Sequence, residues 1–436
     1  MKNILFLLLF LPLCSQSQII VTVAGGGSAT TNGVPATSAN IGVPYDVELY
    51  KNGDLIIASS DNHKLYKVNP SYNGTITTIA GTGFSGYSGD GGPATNAEIG
   101  NPNFICTDKN DNIYIAHSHR LRKIATTGII TTIAGTGAAG YNGDGIPATS
   151  AQINVARGIA IDDTGNVYFV DGVNLRIRKI DTSCVIHTIA GTGISGFSPD
   201  GSKADTAQFS LISRLSIDRF NDLYFLDNAR IRRINHNTGL INTIAGTGIW
   251  GYSGDGGAAT SAQISGGGIV VDTAGYIYLA DDGNNRVRMI NQEGNITTIA
   301  GTGMLGSSGD WGHPLLANIQ SARSLVLNND GDIFVISGGR VRMITNKPLN
   351  SNTLSKSQQQ INIFPNPSLG LVNINVITPL EEQISLVITN AEGKQMFRCT
   401  HFSNQSIPVY TPWPTGIYIA TVTIGQQQWV QKFLVQ

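Results

Sequence analysis

The chain has 436 residues, of which 13% are charged, and its formal net charge is −1. This balance excludes the basic excess on which electrostatic binding of nucleic acids depends. The 52 glycines, the frequent β-branched residues and the lack of long helical patterns favour an all-β protein with many turns.

Residues 1–17 are typical of a secretory signal peptide. Lys2 precedes an apolar run over residues 4–13, which is too short to span a bilayer, and Ser15 and Ser17 then give a small-x-small cleavage pattern. We therefore expect the mature chain to begin at the next residue and to be exported.

The cysteines do not form a recognisable framework. Cys14 leaves a lipoprotein anchor open as an alternative, although a large residue, Leu13, stands where a lipobox needs a small one. Cys106, Cys184 and Cys399 are odd in number and widely scattered, which indicates neither a disulfide framework nor a metal site. Cys106 is expected to be a small buried strand residue. No later segment is long and apolar enough to form a membrane helix.

A short motif, IAGTG, recurs about every 55 residues, which indicates a repeat architecture. Its copies start at Ile79, Ile133, Ile189, Ile244 and Ile299, and a weaker copy, VAGGG, starts at Val23. Four short strand-like runs lie in each repeat; in the second they cover residues 104–108, 112–116, 120–124 and 129–134. Four antiparallel strands in a repeat of this length are typical of a β-propeller blade.

The last repeat lacks a fourth strand, because no strand-like run follows Ile344. The segment IIVTVAG at residues 19–25 matches the fourth strand of the other repeats. We therefore expect residues 19–24 to pair beside residues 340–344 and to close a six-bladed β-propeller over residues 18–346. Closure removes the exposed sheet edge that an open array leaves.

The segments GNVYFVDGVNLRIRKID (165–181) and AGYIYLADDGNNRVRMIN (274–291) resemble NHL repeats, and the resemblance covers residues 19–346. It implies a propeller, often six-bladed, that acts as a binding scaffold; a minority of related propellers are lyases or lactonases. The Asp after the second strand is expected to pair with the Arg that begins the third. These pairs are Asp171 with Arg176, Asp227 with Arg230 and Asp281 with Arg286.

A glycine-rich loop joins each repeat to the next and carries an Asp at a fixed position. The set is Asp90, Asp144, Asp200, Asp255 and Asp310, with Asn32 in the first copy. Nine positions later an apolar residue recurs, at Ile41, Ile99, Ile153, Phe209, Ile264 and Ile319. We expect each Asp to accept hydrogen bonds from nearby backbone N–H groups in a tight turn. The apolar residue is expected to plug the seam between blades.

The same loops supply candidate binding residues on one face of the propeller, because loops usually carry binding residues. Aromatic rings stand three positions before the Asp, at Tyr87, Tyr141, Phe197 and Tyr252. They form either a stacking surface for sugars or peptides, or an anchor for the loop. His117 and His119, the one close histidine pair, would lie on this face too.

No cofactor is predicted. A calcium loop needs several oxygen ligands in one segment, whereas each loop offers a single carboxylate. A zinc site at His117 and His119 would need further ligands that the sequence does not supply recognisably. Calcium and zinc therefore remain minor alternatives. The chain has no nucleophile motif, P-loop or dinucleotide fingerprint.

Residues 347–360 are polar and read as a linker, and residues 361–436 contain short strands that predict a small β-sandwich. The order of their motifs resembles the C-terminal sorting domain of type IX secretion substrates. The matching positions are Pro365, Asn366, Pro367, Gly393, Gly416, Tyr418 and Lys432. The resemblance implies passage through the periplasm, contact with the type IX machinery, and release outside the cell or attachment to the outer-membrane surface.

The leading interpretation is a secreted or surface-attached monomeric propeller that binds a protein, peptide or glycan through its loop face. The rival is an extracellular lyase or lactonase acting at that face or in the central channel, and a third reading is a structural surface component. The sequence names neither the ligand nor the residues that line the channel, and it leaves open whether the sorting domain is cleaved.

Overall fold

The computed structural model describes residues 18–70, 74–346, 360–364, 366, 370–377, 383–402, 406–424 and 427–435. The predicted signal peptide and all of the predicted linker except Gln360 therefore lie outside the described residues, as do Pro365 and Pro367. The chain divides into two compact units, one spanning Ile20–Ile344 and one containing the residues from Thr345 onward.

The first unit consists of short strands. In its first half they are β1 (Ile19–Gly25), β2 (Pro44–Leu49), β3 (Leu55–Ser59), β4 (Lys64–Val68), β5 (Ile76–Ala80), β6 (Phe104–Thr107), β7 (Ile113–His117), β8 (Arg120–Ile124), β9 (Ile130–Ala134), β10 (Ile146–Pro147), β11 (Ala156–Ile161), β12 (Val167–Asp171), β13 (Arg176–Ile180) and β14 (Val185–Ala190). In its second half they are β15 (Ile212–Ile217), β16 (Leu223–Asp227), β17 (Ile231–Ile234), β18 (Ile241–Ala245), β19 (Ile269–Val271), β20 (Ile277–Asp281), β21 (Arg286–Ile290), β22 (Ile296–Ala300), β23 (Leu325–Leu327), β24 (Ile333–Ile336) and β25 (Arg340–Thr345).

Single turns of 3₁₀ helix interrupt the loops. They are Ala36–Ser38, Ala94–Asn96, Ala148–Ser150, Ala204–Thr206, Ala259–Ser261, Asp282–Asn284 and Pro314–Leu316. Among the described residues no helix is long and apolar enough to cross a membrane.

The strands form repeated antiparallel sheets in chain order: β2 to β5, β6 to β9, β11 to β14 with β10 at the edge, β15 to β18, and β19 to β22. The sixth sheet has the order β1-β25-β24-β23, so the N-terminal strand lies beside β25. This is the neighbour that the sequence predicts for it. Ile20, Val21 and Val23 of β1 are almost completely buried there.

Tight turns join the first and second strands of each sheet. In the third sheet, Asp162 Oδ1 accepts hydrogen bonds from the backbone N–H groups of Thr164 and Asn166. Gly165 has φ +94°, a left-handed conformation that glycine adopts without strain. The short polar side chain and the glycine together fix a hairpin turn.

The core lies between successive sheets. Ile56 of β3 and Ile115 of β7 share one buried cluster with Ile99, the apolar residue nine positions after Asp90. Ile153 and Phe209 are completely buried in the next two clusters. The prediction that these residues plug the seams between neighbouring sheets is therefore confirmed. Cys106 is also buried, as expected.

The second unit contains β26 (Gln360–Phe364), β27 (Leu371–Ile377), β28 (Gln383–Asn390), β29 (Gln395–Phe402), β30 (Ser406–Tyr410), β31 (Gly416–Ile424) and β32 (Gln427–Val435). They form two sheets, ordered β26-β27-β30 and β29-β28-β31-β32. Val372 and Ile374 of the first sheet share a buried core with Leu386 and Val422 of the second. This is the predicted β-sandwich.

The described sorting-motif residues have structural positions in this sandwich. Gly393, with φ +83°, lies in the turn between β28 and β29, and Gly416 begins β31. The buried Tyr418 donates its hydroxyl hydrogen bond to the Pro414 carbonyl at 2.8 Å. Asn366 Oδ1 accepts from the Leu434 N–H at 2.9 Å. Lys432 lies on β32, opposite Ile419.

Candidate functional site

The glycine-rich loops fold against the outer two strands of the sheet that follows them. Asp90 Oδ1 accepts from Nε of Arg122 at 3.0 Å, while Oδ2 accepts from the Thr132 N–H at 3.1 Å and the Tyr87 hydroxyl at 2.8 Å. The carboxylate thus ties the loop to β8 and β9. The expectation of local backbone partners is wrong, because the arginine and threonine follow Asp90 by 32 and 42 residues.

This environment favours the charged form of Asp90. Partial burial raises the pKa of the carboxyl, but hydrogen bonds from Thr132, Tyr87 and Arg122 outweigh it and hold the pKa below its ordinary value. Asp255 has a lowered pKa for the same reasons, with Thr298, Tyr252 and Arg288 as partners. These carboxylates therefore have a structural role.

The aromatic residues of the loops are anchors on the same arginines. The Tyr87 ring lies under the guanidinium groups of Arg120 and Arg122, whose Cζ atoms are 3.8 and 4.8 Å from the ring centroid. Three further loops repeat the arrangement at Tyr141, Phe197 and Tyr252. Each ring lies against a different sheet, so the structure does not gather them into one stacking surface.

The predicted Asp–Arg pairing within a repeat involves a different arginine. Asp171 lies opposite Arg176 in the strand register, but its ion pair is with Arg178, at 3.2 Å. The guanidinium of Arg176 instead donates to the carbonyls of Asn174 and Thr192. In the same way, Asp227 pairs with Arg232 and Asp281 pairs with Arg288. Arg178 is completely buried and also binds Asp144, at 2.9 Å; it therefore joins the loop to the second strand.

Variation among the repeats supports this structural role. In the first repeat Asn32 replaces the loop Asp, and Tyr66 stands at the position of the buried arginine; Asn32 Oδ1 still accepts from the N–H of Thr78. In the last repeat Asp310 pairs with Arg342 and accepts from the hydroxyl of Thr22, at 2.7 Å. The N-terminal strand therefore supplies the threonine that the fourth strand supplies elsewhere.

The two candidate histidines are near each other but have different hydrogen-bond partners. Burial lowers the pKa of His117 to about 4, with help from the positive charge of Arg122, so the ring is neutral at pH 7. His119 Nδ1 lies 3.1 Å from the Ile153 carbonyl. In the part of the chain that the structure describes, no group of three His, Cys, Asp or Glu side chains could hold a metal ion.

The first strands of the six sheets, β2, β6, β11, β15, β19 and β23, line a common space of about 240 Å³, here called the channel. A second cavity of about 480 Å³, here called the mouth, adjoins it and shares Phe104 and Arg214 with it. Loop residues complete the mouth. Its lining includes Tyr45, Asn103, Ser118, His119, Arg157, Ser213, Trp250, Gly267 and Asp282.

Aromatic rings and arginines meet at the mouth. Tyr45 and Phe104 pack edge to face with centroids 5.4 Å apart, and the guanidinium of Arg214 lies over both rings, 5.1 and 4.9 Å from their centroids. The Arg323 guanidinium lies 5.5 Å from the Tyr45 centroid. Trp250 faces the same cavity and is 48% exposed, so its ring has room to contact a ligand.

Two acids from β2 line the channel below the mouth. Asp46 is buried and accepts hydrogen bonds from the Ser324 hydroxyl and the Ile105 N–H, at 2.5 and 2.9 Å. Burial raises its pKa, and the nearby Arg214 opposes that effect. Burial also raises the pKa of Glu48, to about 8. The two-residue period of a strand directs both side chains to the channel.

Comparison with known proteins gives two family matches. The Teneurin NHL domain model matches residues 83–142 and 137–199, and the Secretion system C-terminal sorting domain model matches residues 362–436. Mouse Teneurin-1 is 30% identical over 246 residues, which is 50% of this chain and 9% of that protein. A Bacteroides thetaiotaomicron protein of unknown function has a similar structure, with a TM-score of 0.55, 17% identity and 76% of each chain covered.

This chain contains NHL repeats and a C-terminal secretion sorting domain.

The type IX sorting domain places the NHL propeller outside the cell or at its surface. Another structural neighbour, an auxiliary nutrient binding protein from Bacteroides ovatus, has a TM-score of 0.52 and 16% identity, with 76% of each chain covered. At this identity the likeness shows the fold alone. The chain spans about a tenth of the length of the mouse teneurin that it matches.

Sequence reasoning missed the mouth of the NHL propeller. A usable signal exists, because the first strands are mainly apolar and yet carry charges at Asp46, Glu48 and Arg214. When the repeats are aligned on the turn after their first strand, Asp46 and Arg214 occupy the same position. The other four repeats have Phe104, Gly158, Gly268 and Ser324 there. Charges that differ between repeats at an inner position indicate a channel site, whereas charges that recur in every repeat indicate the fold.

Proposed function

We propose that the six sheets form a closed six-bladed ring, and that this NHL propeller is an exported binding module whose ligand site is the mouth. The ring is supported by the place of β1 beside β25 and by the contacts of β2 with β23 and β24. In this proposal residues 18–346 are the propeller, 347–360 the linker and 361–436 the sorting domain.

The observation that supports the binding role is the volume of the mouth together with lining side chains that are not bound to the arginines of the fold. A volume of about 480 Å³ lies within the roughly 300–1,000 Å³ of small-molecule sites. Its walls offer an exposed Trp250 and the Tyr45 ring beside polar groups from several sheets. The loop aspartates and tyrosines are instead bound to arginines of the fold. The nutrient-binding description of one structural neighbour agrees with a binding role.

The proposal is tested by probing the full chain with an array of glycans and peptides, followed by two variants. Trp250→Ala should weaken each bound probe at least tenfold, because an interfacial tryptophan that fills a cavity contributes strongly to affinity. Phe84→Ala is the matched control, since Phe84 follows the same GTG motif in another loop and is 72% exposed. Wild-type binding by the Trp250 variant, or the absence of any bound probe, would contradict the proposal.

A second candidate is an enzyme of the lyase or lactonase type, and the channel acids favour it. Glu48, with a pKa of about 8, is protonated at neutral pH and thus able to donate a proton. Mass spectrometry of each bound probe after incubation with the chain decides the matter. Turnover that Glu48→Gln abolishes while binding persists supports the enzyme, and recovery of every probe unchanged rejects it.

A further inference from the structure

Three arginines in or beside the mouth differ from those that hold the fold: Arg157 and Arg214 line it, and Arg323 lies against the Tyr45 ring of its wall. The paired arginines of the third strands, such as Arg176 and Arg178, donate hydrogen bonds to carbonyls or carboxylates. Within the described residues, the side chains of Arg157, Arg214 and Arg323 donate no hydrogen bond. The ion pair of Arg214 with Asp46 spans 4.0 Å, which is too long for a hydrogen bond. Their donors are therefore free for a ligand.

Arg214 is the most unusual of the three. It is only 8% exposed as a residue, and its side chain lines both the channel and the mouth. Its φ is +50°, a conformation that non-glycine residues adopt only with strain. The register of β15 and β16 shifts at this point, as it does at or beside the equivalent point of the first and third sheets, and in this sheet the residue at the bulge is an arginine. The third sheet has glycine, Gly158, at the equivalent position.

The charge of the mouth is positive. Arg157, Arg214 and Asp282 line it. Arg323 lies beside the Tyr45 ring of its wall, and Asp46 lies 4.0 Å from Arg214, so three arginines stand against two carboxyl groups. Burial raises the pKa of both carboxyls. Guanidinium groups bind carboxylates through two parallel hydrogen bonds, which makes arginine the preferred partner of a planar anion. The mouth is thus suited to a ligand that carries at least one carboxylate.

The other lining residues of the mouth indicate the chemical class of the rest of that ligand. Trp250, which is 48% exposed, offers aromatic surface on which the apolar face of a sugar ring packs, whereas arginines cover the Tyr45 and Phe104 rings. Asn103 and Ser213 offer groups that both donate and accept hydrogen bonds, as sugar hydroxyls require. Gly267 also lines the mouth, and no larger residue fits there, since a Cβ would lie 1.7 Å from the Ala280 carbonyl oxygen of the neighbouring strand.

We propose that the mouth binds an acidic oligosaccharide, with its carboxylate on Arg214 and Arg323 and a sugar ring on Trp250. This inference rests on the proposed binding function and names its ligand class. An acidic peptide presents the same carboxylates but lacks the hydroxylated rings that the aromatic and amide groups of the mouth fit.

The test is calorimetric titration of the full chain with trigalacturonic acid and with its fully methyl-esterified form, which has the same sugars without the charges. We expect the acid to bind at least tenfold more tightly than the ester. Arg214→Gln and, independently, Arg323→Gln should each weaken binding of the acid at least tenfold. The matched control is Arg219→Gln, because Arg219 is exposed in the turn between β15 and β16 and its loss changes the net charge equally.

Melting temperatures show whether each variant is folded, and the second arginine keeps the test decisive if the first variant unfolds. Equal binding of acid and ester, or full affinity in a folded Arg323→Gln variant, overturns the inference. If Trp250-dependent binding of a neutral glycan persists in that case, the binding function stands and only the ligand class fails. Binding of a polyglutamate peptide in preference to trigalacturonic acid also overturns it.

Discussion

At the residue scale, one loop carboxylate cross-links the loop to the next sheet in five of the six repeats. Asp90 joins its own loop to the third and fourth strands of the next sheet through Arg122 and Thr132. The partner Arg122 is almost completely buried, with 2% of its side chain exposed. Removing the carboxylate leaves a buried guanidinium charge with fewer acceptors. The resulting loss of stability is larger than the net contribution of the ion pair itself.

We expect Asp90→Ala to lower the free energy of unfolding by about 2 kcal/mol, because a charged donor loses its acceptor while one-third exposure of the site lets water compensate in part. Urea denaturation measures the change. Asp163→Ala, at an exposed turn position, is the control and should be nearly neutral. The double variant Asp90→Asn/Arg122→Tyr copies the first repeat and should cost less than the two single changes together. If the losses in free energy of unfolding of the two single variants simply add in the double variant, the cross-link is contradicted.

At the element scale, the loop that follows each IAGTG motif acts as a wedge. Gly81, directly after the last strand of one sheet, donates its N–H to the carbonyl of Ala94 within the loop, and Gly91 donates to the Ile130 carbonyl on the outer strand of the next sheet. Its apolar residue then enters the seam. The long loops are therefore packed structures, which explains why they need no regular secondary structure of their own.

Ile153→Ala should destabilise the propeller by about 3 kcal/mol, because the residue is completely buried and the seam cannot close around the lost methyl groups. Ile194→Ala removes the same atoms from a loop position that is 59% exposed, and its effect should stay within about 0.5 kcal/mol. Chemical denaturation of both variants makes the comparison. Similar losses of stability in the two variants would show that Ile153 does not hold the seam together.

At the scale of the whole molecule, the proposed ring depends on its first strand. Ile20 shares a buried cluster with Val335 and Ile344, and its backbone carbonyl accepts from the Trp311 N–H at 2.7 Å. Burial of three apolar residues of β1, at roughly 1.5–3 kcal/mol each, contributes about 4.5–9 kcal/mol. That is comparable to the net stability of many domains.

Deletion of residues 19–24 is therefore expected to open the ring, lower the melting temperature and cause association through the exposed edge of β25. Light scattering after size-exclusion chromatography and a thermal melt measure both effects. Thr22→Ala, which removes only the side-chain bond to Asp310, should cost about 1 kcal/mol and leave a monomer. A monomeric deletion variant with the wild-type melting temperature would refute the closure.

The sequence alone determined the repeat, the strand order and the N-terminal strand as the neighbour of β25, because periodic patterns reflect local strand geometry and a repeated seam. It also located the plug residues, since their distance from the loop Asp never changes. Tertiary structure decided which arginine each Asp meets, because Arg176 and Arg178 share one face of a strand and only loop packing separates their roles. The position of the mouth also depends on the tertiary structure, because Asp46, Trp250 and Arg323 are distant in sequence. Their charges and rings come together only where the inner strands of different sheets meet.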